Sequence, residues 1–286
     1  MQGLKGELHE FTRSPAPLQC FESGALGSKK LVVFMGGLTD GLLACPYIRS
    51  LSAECAAEGY ALIQPVFRSS YCQFGTGTLD RDVEDLTNLL FWAQSNRQSD
   101  IQVSLIGHST GCQISVFFCQ TAPQAVRQLV KSVILQSPVS DREAFGLEHD
   151  KDFVSNLLQK ARSCENSSEI VHTLYGIAPL TATRTLHLFE KYGLDDMFSS
   201  DLTDEELRER LGHMDDFHCL FVIALGDQYV PPNVYPDFCT RLISAVHGST
   251  LFTIEGADHS LHKPKDIATA AFVSRAVEFM KEGFLN

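Results

Sequence analysis

The spacing of apolar positions divides the chain into stretches of different character. From residue 31 to residue 136, short apolar runs alternate with amphipathic ones. Leu31-Val32-Val33-Phe34-Met35 is a buried-strand pattern stopped by Gly36-Gly37, and Tyr60 to Val66, Ile101 to Ile106 and Ser132 to Gln136 repeat it. Between these runs the period changes to that of a helix. Pro46 opens a helix reaching about Ala57, with Gly59 to close it, and Leu79, Val83, Leu86 and Leu90 share one face of a helix over about 79–95. A helix over 110–121 follows the third run, and Pro123 opens another short one. From about Asp141 to Asp216 polar and charged residues crowd in. No strand is expected there, only helical fragments near 151–162, 181–191 and 203–211, the last opened by a Thr203/Glu206 capping box. Beyond this block the alternation resumes, with a strand from Cys219 to Leu225, a helix over about 234–245, a strand from Thr250 to Ile254 and a final amphipathic helix over about 267–282. Residues 1–29 read as a lead-in, with a short edge strand near Leu18–Phe21.

Continuous apolar strands joined by helical crossovers make a mostly parallel sheet covered by helices on both faces. The expectation is therefore one α/β domain over 1–286, with a helical cap inserted at about 141–216. In an open sheet of this kind ligands bind beyond the carboxyl ends of the strands, which directs attention to the loops that follow each apolar run.

Composition narrows the function classes. Acidic residues outnumber basic ones, 35 to 23, for a formal charge of −12, so nucleic acid and anionic membrane surfaces are poor partners. No apolar run has transmembrane length, and the first residues lack a signal-peptide core, so a cytoplasmic protein is expected. The nine cysteines form no C-x-x-C pair and lie largely in apolar runs, as buried reduced thiols do. No ligand spacing for zinc, calcium or an iron–sulfur cluster occurs, and no cofactor is called for.

The loop after the Ile101–Ile106 run is Gly107-His108-Ser109-Thr110-Gly111, and a helix follows at once. Strand, glycine-bracketed serine and helix together make the nucleophile elbow G-x-S-x-G. A serine hydroxyl needs a base to take its proton, and the base needs a carboxylate to orient it. Along the chain the order in α/β-hydrolases is serine, acid, histidine. His259, in the polar loop after the last strand, is the base by position, with His262 as its rival. His108 adjoins the serine but cannot easily turn back on it. Asp227, ending the Cys219–Leu225 strand, is the acid, with Asp141 as a rival and Asp258 a mere neighbour of the base. The oxyanion donors expected are the backbone N–H of Thr110 and one from Gly36-Gly37-Leu38, with Leu38 preferred over Gly37. Arg68-Ser69-Ser70-Tyr71 follows another strand and is a candidate for the same rim.

These segments also carry a resemblance. Over nearly its whole length the chain resembles the α/β-hydrolase superfamily. Gly36-Gly37-Leu38-Thr39-Asp40-Gly41, Gly107-His108-Ser109-Thr110-Gly111-Cys112-Gln113 and Gly226-Asp227-Gln228-Tyr229-Val230-Pro231 are similar to the DUF1749 (UPF0613) family, which includes fungal siderophore esterases. The resemblance implies Ser109, Asp227 and His259 as a catalytic triad, without carrying the siderophore substrate over. The expected function is a serine hydrolase acting on a small-molecule carboxylic ester through an acyl-enzyme. The same triad also serves thioesterases, amidases and acyltransferases, and the fold also serves as a non-catalytic ligand-binding protein. Oligomeric state is not encoded in any of these patterns.

Overall fold

In the computed structural model, residues 3–97, 100–235 and 237–285 are described. Met1 and Gln2 of the expected lead-in lie outside them, as does Pro236 within the helix expected over 234–245. The chain runs β1 (Glu7–Thr12), β2 (Leu18–Gly24), β3 (Lys30–Met35), α1 (Ile48–Ala57), β4 (Ala61–Pro65), α2 (Leu79–Arg97), β5 (Gln102–His108), α3 (Thr110–Thr121), α4 (Gln124–Arg127) and β6 (Val130–Gln136). The segment before the next sheet strand holds α5 (Asp141–Glu148), α6 (Lys151–Ser163), β7 (Ile170–Leu174), β8 (Ala178–Thr181), α7 (Ala182–Phe189) and α8 (Asp204–Leu211). β9 (Cys219–Ala224), α9 (Asp237–Ala245), β10 (Thr250–Ile254) and α10 (Ile267–Leu285) complete the chain.

The main sheet has eight strands in the order β1-β2-β4-β3-β5-β6-β9-β10. From β4 to β10 all neighbours are parallel, while β1–β2 and β2–β4 are antiparallel. The central strands are apolar on both faces because helices cover both. Along β3, Val32 and Phe34 enter the core beneath α1 and α10, whereas Leu31, Val33 and Met35 enter the core beneath α2, α3 and α9. That is the two-residue period of a strand, met by a hydrophobic layer on each side. Among the described residues no helix is long and apolar enough to cross a membrane.

Two regions depart from the expectation. β1 is an edge strand with one buried residue, Phe11, so its sequence shows no apolar alternation to read. The polar block, whose pattern predicts no strand, contains the hairpin β7–β8. Its β-turn is centred on Tyr175-Gly176, with φ of 52° and 70° and an Ile177 N–H to Leu174 C=O bond of 3.1 Å. Paired positive φ is the primed turn that matches strand twist, and tyrosine in its first position hides the signal. The helix α5 is also absent from the expected elements of the block. Ser140 Oγ caps it by accepting from the Glu143 N–H, at 3.1 Å.

The block divides by its packing. Phe145, Leu157, Leu174, Leu180, Leu188 and Phe189 form a third apolar cluster, reached from below by Leu38 and Phe74. From Met197 to Met214 the buried residues instead join the core under the sheet. A buried ion pair ties the upper part down. Arg184 on α7 donates to both carboxylate oxygens of Asp195, at 2.7 and 2.8 Å, and to Phe74 C=O at 3.0 Å.

Candidate active site

Ser109 stands between β5 and α3 with φ 55° and ψ −126°, a conformation that an L-residue holds only under constraint. The constraint is close packing around the elbow. A side chain at Gly107 would meet Gly111 C=O, and one at Gly111 would meet Met35 C=O on β3. The flanking glycines therefore let the turn press against its neighbours and raise the serine above the strand ends, as the sequence pattern requires.

Asp227 and His259 come together from loops after β9 and β10. His259 Nδ1 and Asp227 Oδ2 are 2.6 Å apart, both side chains being buried. A carboxylate accepts, so Nδ1 carries the proton and Nε2 is left with its lone pair. Asp227 Oδ1 accepts from Tyr229 N–H at 2.9 Å, Gln228 Oε1 accepts from His259 N–H at 3.2 Å, and the Tyr229 ring meets the imidazole edge-on at 4.8 Å. Ser109 and His259 line the same cavity. Among the described residues no hydrogen bond joins them.

The rivals are placed elsewhere. His262 is exposed and is not on the cavity wall, and Asp258 Oδ1 accepts from the His262 and Lys263 N–H groups, closing a turn. Asp141 does line the cavity, but accepts from Gln113 Nε2 at 3.1 Å and Thr110 Oγ1 at 3.5 Å rather than from a histidine. Burial, with Asp195 adding to it, pushes the Asp141 carboxyl up to about 7. Arg68 faces away from the site, held by Asp85 and Glu84.

The loop after β3 lies against the serine, since a Cβ on Gly37 would sit 2.6 Å from Ser109 Cβ. Gly37 N–H is taken by Asp40 Oδ2 at 2.7 Å. Leu38 N–H has no partner among the described residues, and Thr110 N–H opens α3, where the first amides lack an intrahelical acceptor. Of the donors expected from the sequence, Thr110 and Leu38 are thus unspent, and Gly37 is engaged.

The family described as "Protein of unknown function (DUF1749)" matches residues 1–281. The chain belongs to the DUF1749 family. A UPF0613 protein of Schizosaccharomyces pombe is 29% identical over 252 residues, covering 80% of this chain and 79% of that one. The fusarinine C esterase of Aspergillus fumigatus is 28% identical over 259 residues, covering 73% of this chain and 72% of its own. The solved siderophore hydrolase EstB from Aspergillus fumigatus superposes with a TM-score of 0.78 over 98% of each chain at 24% identity. At that identity the likeness speaks for the fold, which is that of an α/β-hydrolase.

In this DUF1749 chain the cavity above Ser109 has a volume of about 410 Å³. Its floor is the elbow and the loop after β3, and its roof is α5, the β7–β8 turn and Phe189 of α7. Among the described residues no group of three or more His, Cys, Asp and Glu side chains is arranged to hold a metal ion.

Two further residues also bear on the site: His108, which the sequence sets aside as a base, and Gln136, which its patterns do not single out. Gln136, wholly buried at the end of β6, donates through Nε2 to His259 C=O at 3.0 Å and to Ser137 Oγ at 2.5 Å. Because a carbonyl must face a donor, that contact fixes the amide orientation. Oε1 then accepts from Tyr47 Oη at 2.8 Å and from His108 Nδ1 at 2.6 Å, so His108 carries its proton on Nδ1. The His108 ring lies 4.8 Å from the His259 ring. Burial, and then the charge of His259, hold His108 well below the usual histidine range, against the Gln136 bond. A neutral ring therefore lies beside the candidate base. The available signal was a glutamine closing an apolar strand, a polar group that its burial obliges to find partners.

Proposed function

We propose that this DUF1749 protein is a serine hydrolase that cleaves carboxylic esters through an acyl-enzyme. The observation that carries the reading is the 2.6 Å bond between Asp227 and His259, both buried, on the cavity that the constrained Ser109 also lines. The names of the fungal relatives, a fusarinine C esterase and an esterase of Emericella nidulans, support the reaction class.

The chemistry follows from the proton positions. His259 Nε2 takes the hydroxyl proton as Ser109 Oγ bonds to the ester carbonyl carbon. Asp227 keeps the imidazole in the tautomer that leaves Nε2 free and stabilises the imidazolium as it forms. The carbonyl oxygen becomes an oxyanion, for which the unspent N–H groups of Thr110 and Leu38 are the donors. Collapse breaks the bond to the alcohol, which leaves with the proton from Nε2. Water, deprotonated by the same nitrogen, then releases the acid and restores Ser109.

Ser109→Ala tests the proposal. Wild type should label with a fluorophosphonate probe and turn over activated esters, while the variant should not label and should lose about a thousandfold or more in kcat/KM. Folded wild type that neither labels nor turns over esters sinks the reading. A parallel panel of thioesters and amides assigns the bond.

A further inference from the structure

The cavity wall has an uneven charge. Apart from its histidines and tyrosines, its ionisable side chains are the carboxyls of Asp40, Asp141 and Glu148, and among the described residues no Lys or Arg lines it. The arginines on the helices that roof it are committed elsewhere, Arg142 to Asp196 and Asp201, Arg184 to Asp195. Asp141 is buried at 9% exposure against Thr110, on the side of the cavity where the oxyanion would form. Glu148, on the same helix α5, is exposed and makes no hydrogen bond or ion pair among the described residues. Much of the remaining roof is apolar, with Phe145 and Phe189 stacked at 3.9 Å and 11°.

Such a space treats ligands unequally. An uncharged group loses little on leaving water and gains contact with the aromatic roof. A carboxylate loses its hydration and meets carboxyls with no cation to pair with, in a setting where charge is poorly screened. A cation loses hydration too, but finds Asp141 and Glu148. We infer that the cavity admits esters whose enclosed group is uncharged or cationic and turns away those bearing a carboxylate, with Asp141 and Glu148 as the specificity-determining residues. The inference rests on the ester-hydrolase reading and names the substrate class for it.

The test uses p-nitrophenyl esters of one chain length: hexanoate, the mono-ester of adipate, and 6-(trimethylammonio)hexanoate. Assays run at about pH 8, above the Asp141 value of about 7. Wild type should prefer hexanoate to the adipate ester by at least about tenfold in kcat/KM, and take the cationic ester at least as well as hexanoate. Asp141→Asn with Glu148→Gln should bring hexanoate and adipate within about threefold of each other. Glu148→Gln alone, at an exposed position, should narrow the gap about twofold and serves if the double variant does not fold. Equal wild-type rates for hexanoate and adipate overturn the inference, and a ratio that these variants leave unmoved overturns the assignment to Asp141 and Glu148.

Calorimetric binding of the intact esters to Ser109→Ala reads the charge order without chemistry. Binding in the expected order with no turnover by wild type fails the hydrolase reading alone. Turnover without a charge order fails this inference alone.

Discussion

The rim of the sheet and the cap above it both keep polar groups out of water, by opposite means. At the rim, Gln136, His108, Tyr47 and the Asp227–His259 pair form a compact net of hydrogen bonds among loop and strand ends far apart in sequence. In the cap, full charges are paired with one another, Arg184 with Asp195 and Arg142 with Asp196 and Asp201. The rim net sets proton positions, on Nδ1 of His108 and Nδ1 of His259. The cap pair sets none and holds α7 against the loop after it and Phe74. Losses at the rim should therefore appear in chemistry, and losses in the cap in stability.

The largest expected effect is at the rim. Asp227→Asn should preserve the packing but leave His259 in the wrong tautomer, lowering kcat/KM by about ten-thousandfold while Tm moves little. A large fall in Tm with activity retained would break the comparison. Next comes Arg184→Leu, which strands the Asp195 carboxylate without its partner in a buried setting. A loss of about 3–5 kcal/mol in urea unfolding is expected, together with lost ester turnover as α7 and its part of the roof come away. The smallest concerns the solvent side of the block. Thr203 and Glu206 form the complete capping box of α8, so Thr203→Ala should cost about 1 kcal/mol, with kcat/KM unchanged. A change in kcat/KM there would show that α8 bears on the cavity and would blur the division.

Much of the rim was legible from local patterns. The G-x-S-x-G turn, the strand before it and the helix after it occupy the positions their spacing implies, because the backbone geometry of an elbow is dictated within five residues. Asp227 and His259 could be placed because each lies in the loop after a strand, β9 buried and β10 at the sheet edge, and a parallel sheet brings its strand ends to one rim. In the folded chain Asp40 claims the Gly37 amide, while the Leu38 amide has no partner among the described residues. His108 does not turn back onto the serine, as its position in the elbow implies. It lies against His259 instead, a contact across the sheet that no local spacing encodes. In the polar block, the capping box of α8 was legible and the hairpin β7–β8 was not. The Ser140-x-x-Glu143 signal at the start of α5 is present but partly spent, since the Glu143 side chain bonds Ser200 rather than closing the box.

By itself, then, the sequence determined the order of strands and helices from β3 to β6 and from β9 to α10, the elbow, and the residue types delivered to the carboxyl ends of the strands. All of these depend on short-range sterics and on apolar period. Tertiary structure alone decided which nitrogen of each buried histidine holds the proton, which amides remain unspent around Ser109, and that Asp141 and Glu148 face the same cavity without a basic partner. Those properties arise from contacts between distant segments, where burial forces each polar group to find the partner that the folded chain brings to it.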